Sequence, residues 1–312
     1  MCSPPTSASE NGGAPEPISR FGYVAFVGRP NAGKSTLFNA LLGQRLSIVT
    51  ARPQTTRGRI LGILTRPASQ VVLLDTPGLL EARYRLHETM ERQIQRACAD
   101  ADVVVLLLDG TRPDDRGRLV DAFLRRNRKP VLPVLNKVDR IDPEGVEALL
   151  ARLSRDHGLS GLLPVSALTG TNVAFLLSRL EELLPPGPAM YPADRIAEQP
   201  ERFFAAELIR EAAFEQLADE LPYSIQVRVE EFREPDAEHG RKTYLLATLF
   251  VERESQKGIV IGRKGTRLRT IGTGARESIE ELVDGPVFLE LRVKVRPDWR
   301  RREKDLKEFG YL

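Results

Sequence analysis

Long apolar runs are missing from this sequence of 312 residues. The longest, Val103 to Leu108, falls far short of the roughly 20 residues a helix needs to cross a bilayer, so no transmembrane helix is expected. Cysteine is nearly absent too. Cys2 and Cys98 stand in no metal-ligand spacing and build no disulfide framework, which excludes a disulfide-stapled secreted scaffold and fits a reducing compartment; Cys98 is read as inert. The three histidines, His87, His157 and His239, are scattered without ligand spacing, so surface or structural roles are expected of them. The single tryptophan, Trp299, is read as a packing anchor rather than a platform for a base. The first 19 residues lack Lys, Arg and an apolar core, which excludes a secretory signal or an Arg-rich transit peptide and leaves a disordered tail. A dominant charge is lacking as well, because a net +3 is too small to imply a nucleic-acid partner by itself.

What is present is the balance of a folded protein, 41% hydrophobic and 29% charged, at a length that suggests two domains. From Tyr23 to about Leu184, short Val- and Leu-rich runs (YVAFVG, VVLLD, DVVVLLLD, VLPVLN, LLPVS) alternate with helix-length amphipathic segments. That alternation predicts an α/β domain over residues 20–184, a mainly parallel sheet with helices on both faces. One antiparallel hairpin is expected within it, pairing Arg59–Thr65 with Gln70–Asp75 across Pro67-Ala68-Ser69. The proline-rich stretch 185–200 reads as a linker. Residues 201–312 follow in the order helix, strand, strand, short helix, long helix, strand, which predicts a smaller α+β domain ending in a basic tail around Arg300-Arg301-Arg302.

Chemistry-bearing motifs sit at the turns. Gly28-Arg29-Pro30-Asn31-Ala32-Gly33-Lys34-Ser35 fits the G-x-x-x-x-G-K-[ST] pattern between a predicted strand and helix. Its glycines let backbone N–H groups wrap a phosphate at a helix N-terminus, Lys34 reaches the β- and γ-phosphates, and the Ser35 hydroxyl ligates Mg²⁺. Gly28, Asn31, Ala32, Gly33, Lys34, Ser35 and Thr36 are therefore the candidate phosphate cradle. The strand VVLLD ends in Asp75-Thr76-Pro77-Gly78, where Asp75 is placed to hold Mg²⁺ through water and Gly78 to offer an N–H to the γ-phosphate. Asn136-Lys137-Val138-Asp139 follows another strand. Asp139 selects guanine because a carboxylate accepts from both N1–H and the N2 amino group, which adenine does not offer. Ser166, Ala167 and Leu168 would close over the base through backbone contacts.

In this order and context, GRPNAGKST, QTTR, DTPG, NKVD and SAL resemble the bacterial Era family and its TrmE and Der relatives. The resemblance implies a GTP-hydrolysing domain whose first switch is Gln54-Thr55-Thr56-Arg57, with Thr56 ahead of Thr55 as ligand of Mg²⁺ and the γ-phosphate. Lys34, Thr56 and Gly78 are the catalytic candidates, and Ser35, Thr56 and Asp75 the metal set. Leu79 occupies the position where Ras-like enzymes hold a water-orienting Gln, so slow basal turnover is expected. In some relatives the residue matching Asn31 coordinates K⁺; the residues equally permit a loop-stabilising side chain here.

In the second domain, Ile259-Val260-Ile261-Gly262-Arg263-Lys264-Gly265 places G-x-x-G between two helical segments, in the element order of a type II KH domain. Six cations and no anion lie between Lys257 and Arg276, although residues 201–312 hold 21 Lys and Arg against 22 Asp and Glu. Segregation of that kind marks a binding face. Lys257, Ile259, Ile261, Gly262, Arg263, Lys264, Gly265, Arg267 and Arg269 are the candidate RNA contacts. The resemblance covers Phe21 to Leu312 and implies a monomer that binds 16S ribosomal RNA near its 3′ end and assists 30S subunit assembly in the cytoplasm. Two other readings compete: a non-catalytic RNA-binding module ordered by GTP, and a cell-cycle signalling GTPase in peripheral contact with a membrane through surface basic residues.

Overall fold

The structure, a computed structural model, describes residues 19–112, 117–235 and 242–312. Cys2, His239 and the expected tail up to residue 18 lie outside the described residues.

The first domain runs β1 (Arg20–Gly28), α1 (Lys34–Leu42), β2 (Ile60–Thr65), β3 (Ser69–Asp75), α2 (Arg85–Asp100), β4 (Val103–Asp109), α3 (Gly117–Arg126), β5 (Val131–Asn136), α4 (Pro143–His157), β6 (Leu163–Pro164) and α5 (Val173–Leu183). Its six strands lie in the order β2-β3-β1-β4-β5-β6, all parallel except β2, which forms the expected antiparallel hairpin with β3. The continuous apolar runs are explained by burial on both faces. Val24, Phe26, Leu73 and Val105 pack towards α1 and α5, while their neighbours Ala25, Val27, Leu74 and Val104 pack with Ile94 and Ala97 of α2.

The run LLPVS contributes only a two-residue strand. Pro133 of β5 has no N–H, and β6 pairs only with Val134 and Leu135 beyond it. Val165 then donates to the Leu135 carbonyl at 2.8 Å, and the chain turns into the Ser166 loop.

The stretch 185–200, expected as a plain linker, is laid along the first sheet. Phe21 N–H donates to Pro185 O at 3.2 Å and Ile63 N–H to Ile196 O at 2.9 Å. The wholly buried Gln70 amide accepts from the Met190 and Tyr191 N–H groups and donates to Tyr191 O, all at 2.9 Å. The segment turns once at Pro192–Arg195 and covers the free side of edge strand β2.

The second domain comprises α6 (Glu201–Gln216), α7 (Leu221–Ser224), β7 (Gln226–Arg233), β8 (Thr243–Val251), α8 (Glu254–Ile261), α9 (Thr266–Leu282), β9 (Val287–Val295) and α10 (Glu303–Glu308). Its sheet order is β7-β8-β9, antiparallel then parallel, and α6 and α9 share a core with one face of it.

The expected basic tail is a folded cap instead. Trp299, Leu306 and Tyr311 are buried against Leu86 and Met90 of α2, so the chain end packs on the first domain. The cations of this run are largely neutralised: Arg296 pairs with Asp305 and Glu308, Lys294 approaches Glu230, and Arg300 pairs with Glu252. Arg301 and Arg302 remain exposed. The interface needs Trp299 as an apolar anchor, with its indole N–H donating to Ser224 O at 2.8 Å.

Candidate functional site

The loop between β1 and α1 wraps tightly because Gly33 stands in a left-handed conformation, φ 95°, where a Cβ would fall 2.1 Å from the Asn136 amide nitrogen. Lys34 is buried, and its ammonium donates to the carbonyls of Gly28 (3.3 Å) and Arg29 (3.0 Å). Burial pushes Lys34 down to about 8, against the pull of the Asp75 charge. A cation held on two carbonyls in a desolvated loop is well matched to an incoming polyphosphate.

Ser35, Thr56 and Asp75 converge. Ser35 Oγ donates to Asp75 Oδ2 at 2.6 Å and lies 2.9 Å from Thr56 Oγ1, which is 3.4 Å from the same carboxylate oxygen. Ser47 Oγ adds a bond to it at 2.7 Å. Thr55 turns the other way, bonding Thr50 Oγ1 and Arg52 O, whereas Thr56 faces Ser35 and Asp75. Burial raises the Asp75 pKa, against these hydroxyls and Lys34. Its second oxygen, Oδ1, is buried with no hydrogen-bond partner. An orphaned carboxylate oxygen beside two hydroxyls fits Mg²⁺, a hard cation that takes oxygen ligands and retains water. Among the described residues, no group of three or more His, Cys, Asp or Glu side chains is placed to hold a metal ion.

Asn136 and Asp139 divide the work at the other end. Asn136 is buried and acts as a strut: its amide donates to Ala32 O at 2.8 Å and accepts from Ala167 N–H at 3.0 Å, tying the phosphate loop to the Ser166 loop. Lys137, at φ 68°, places its ammonium 2.6 Å from Asp109. Burial would raise Asp109, but bonds from Lys137 and Thr111 outweigh it and hold the carboxyl below its ordinary range. Asp139 accepts from Ser166 Oγ at 2.5 Å, which leaves acceptor capacity for a base edge. Ala167 is buried, whereas Leu168 stands 71% exposed beside it.

A cavity of 410 Å³ joins the phosphate loop, including Thr36, to Thr56, Gly78, Asp109 and Lys137. Asn31 donates to Ala51 O at 2.9 Å, bridging this loop to the first switch. Leu79 N–H donates to Gly28 O at 3.0 Å, and its side chain lines a separate cavity of 330 Å³ with Ile94, Cys98 and Phe123. Apolar contact with α2 and α3 gives Leu79 no means of orienting water.

Sequence reasoning missed Ser47 and Asp109. Asp109 ends a central parallel strand, a position where ligands gather in open α/β sheets, and that signal was available. Nothing in sequence singled out Ser47, and for His87 the expected structural role is the one seen. His87 is buried, with Nε2 3.2 Å from Gln54 Oε1 and Nδ1 accepting from Arg83 N–H at 3.3 Å. Burial, followed by the Arg300 and Arg83 charges, pushes it down to about 4.

In the second domain the turn between α8 and α9 presents the G-x-x-G backbone. Gly262 has φ 73°, and a Cβ there would fall 2.8 Å from Arg267 Cβ. Val260 is buried in the core, while Ile259 is exposed and Ile261 half-buried. Arg263, Lys264 and Arg269 are exposed, and no carboxylate among the described residues pairs with them. Arg267 bonds Ile259 O at 2.8 Å and steadies the turn, and Lys257 is half-buried 4.0 Å from Glu254. Gly265 and Arg269 also line a groove with Leu268, Gly272, Leu289 and Leu291, apolar positions that the motif alone did not reveal.

Comparison with known proteins agrees with this geometry. The family model described as "50S ribosome-binding GTPase" matches residues 23–137, and that described as "KH domain" matches residues 220–300. The protein named GTPase Era of Geobacter metallireducens is 42% identical over 293 residues, covering 94% of this chain and 98% of the relative. GTPase Era of Synechocystis is 44% identical over 296 residues, with 94% and 92% covered. Among solved structures, Era in complex with MgGDPNP and nucleotides 1506–1542 of 16S ribosomal RNA superposes with a TM-score of 0.89 at 38% identity, covering 94% of this chain and 99% of that one. An Aquifex aeolicus Era variant bound to GDP and AlF4⁻ gives 0.89 at 37% identity with the same coverage.

Proposed function

The chain belongs to the Era family of GTPases, and from that premise we propose that it couples GTP binding and hydrolysis to the recognition of single-stranded 16S ribosomal RNA near its 3′ end, assisting 30S subunit assembly. The observation that carries the GTPase half is the convergence of Ser35, Thr56 and the half-satisfied Asp75 carboxylate beside a desolvated Lys34. In this reading Ser35, Thr56 and Asp75 hold Mg²⁺, directly or through water, and the ion when bound supplies charge between the β- and γ-phosphates. Lys34 and the Gly78 N–H steady the γ-phosphate, while Asp139 reads the guanine edge against Ser166 and Ala167. Leu79 positions no water, so turnover in the isolated protein is slow.

RNA runs along the second domain, with its backbone against Gly262 to Gly265 and the cations Arg263, Lys264 and Arg269, and its bases over Ile259, Ile261 and the Leu268–Leu291 groove. We place the protein in the cytoplasm as a monomer; no helix of the described residues is long and apolar enough to cross a membrane. The test is Gly262→Asp, which sets a carboxylate and a Cβ where the backbone must approach a phosphate. RNA affinity is expected to fall at least about 100-fold with GTP affinity unchanged; intact binding to a 16S 3′-end oligonucleotide would place the clamp elsewhere.

A further inference from the structure

The segment from Arg45 to Arg57, which ends in the first switch, is tied to the second domain at both its ends. Ile48 is 1% exposed and belongs to the second domain's core. Val49 N–H donates to Glu211 Oε1 of α6 at 2.8 Å, and Arg45 pairs with the same carboxylate. At the other end, Arg57 is 2% exposed and enters the second domain completely. Its guanidinium donates to the carbonyls of Ile225 (2.6 Å), Tyr223 (3.0 Å) and Pro222 (3.3 Å), at the C-terminal end of α7. Two rings flank it, Phe214 at 5.8 Å and Trp299 at 5.7 Å. Trp299 also packs with Leu86 and Met90 of the helix that follows Gly78, so both nucleotide-sensing segments meet on one indole.

Arg57 touches nothing in the nucleotide cavity. Its neighbour Thr56, however, is the hydroxyl that joins Ser35 and Asp75. A buried guanidinium whose partners all belong to the second domain therefore sets where Thr56 stands. We propose that Arg57 is a positioning residue that supports the binding of GTP selectively over that of GDP, by using the docked second domain to hold Thr56 at the magnesium and γ-phosphate position. GDP has no γ-phosphate to reward an ordered switch, so its affinity is indifferent to the anchor. By linkage, whatever moves the second domain away from α7's contact with Arg57 weakens GTP binding, and bound GTP opposes that movement by the same factor. The inference rests on the reading of Thr56 as a ligand of magnesium and the γ-phosphate.

The experiment titrates the full chain, in Mg²⁺, with GDP and with a non-hydrolysable GTP analogue, comparing wild type with Arg57→Ala, Arg57→Lys and Glu211→Gln. Glu211→Gln loosens the other end of the segment without opening a cavity. Arg57→Ala is expected to weaken the GTP analogue about tenfold and GDP by less than about twofold. Arg57→Lys should restore part of the difference, and Glu211→Gln should reproduce it more weakly. Trp299 is the chain's only tryptophan, so its emission should respond to the GTP analogue in wild type and lose that response in Arg57→Ala. Equal weakening of both nucleotides would show a merely structural residue, and a wild-type GTP to GDP ratio in all three variants would overturn the inference while leaving the proposed function intact. A wild type that failed to bind GTP in Mg²⁺ would instead bring down the proposed function and this inference with it.

Discussion

Asp139→Asn is the sharpest perturbation of base recognition. In the folded chain one Asp139 oxygen accepts from Ser166 Oγ at 2.5 Å, and the side chain is only 18% exposed, so water cannot freely replace a lost partner. The remaining acceptor capacity faces two guanine donors, N1–H and the N2 amino group. Hydrogen bonds to a charged group contribute about 1.5–3 kcal/mol each, so losing both costs about 3–6 kcal/mol, or about 10²- to 10⁴-fold in affinity. The Ser166 contact decides which way the new amide turns. Its hydroxyl keeps the Asn oxygen, and the NH₂ is then presented to the base, donor against donor for guanine but donor against the C2 carbonyl for xanthine. Competition titrations with GTP and XTP should show GTP affinity falling within that range while XTP affinity rises above it. A variant that kept GTP within about tenfold of wild type, with no gain for XTP, would refute the assignment of Asp139 to the base edge.

Lys34, at about 8 in the folded chain against 10.5 ordinarily, makes the nucleotide-free protein more stable as pH rises from about 8 to 10.5, because the unfolded chain is the more protonated across that window. Thermal melting should show this slope in wild type and lose it in Lys34→Met. His87, at about 4 against 6.5, works in the acid direction: stability falls as pH drops from 6.5 to 4, since burial, and after it the Arg300 and Arg83 charges, disfavour the imidazolium in the folded chain. His87→Gln should melt with a shallower dependence over that range. Single-enzyme turnover should be on the order of 10⁻³ per second or slower, because Leu79 orients no water. It should be faster in K⁺ than in Na⁺; equal rates would leave Asn31 with only its tie to Ala51.

Local pattern and motif were enough for the two sheets, the β2-β3 hairpin, the phosphate loop and the G-x-x-G turn. Each is a short-range consequence: apolar runs of strand length, glycines where φ is positive, a cation beside them. Residue identity also named Ser35, Asp75 and Asp139, because hydroxyl and carboxylate chemistry at those turns is specific. What sequence could not decide was anything set by which surfaces meet. The stretch 185–200 reads as a linker because proline breaks every period, yet its hydrogen bonds to β2 exist only once the sheet has an open edge. The basic run near the end reads as a tail because two of its carboxylate partners, Glu230 and Glu252, and the helix α2 on which it packs are remote in the chain. Arg57 belongs to a switch by motif and to the other domain by burial. Sequence alone determined the motifs for GTP, Mg²⁺ and a nucleic-acid strand, since each is a short contiguous loop. Only the tertiary structure decided that the nucleotide switch is anchored in the second domain, because a buried guanidinium goes wherever carbonyls and rings from distant segments come together to satisfy it.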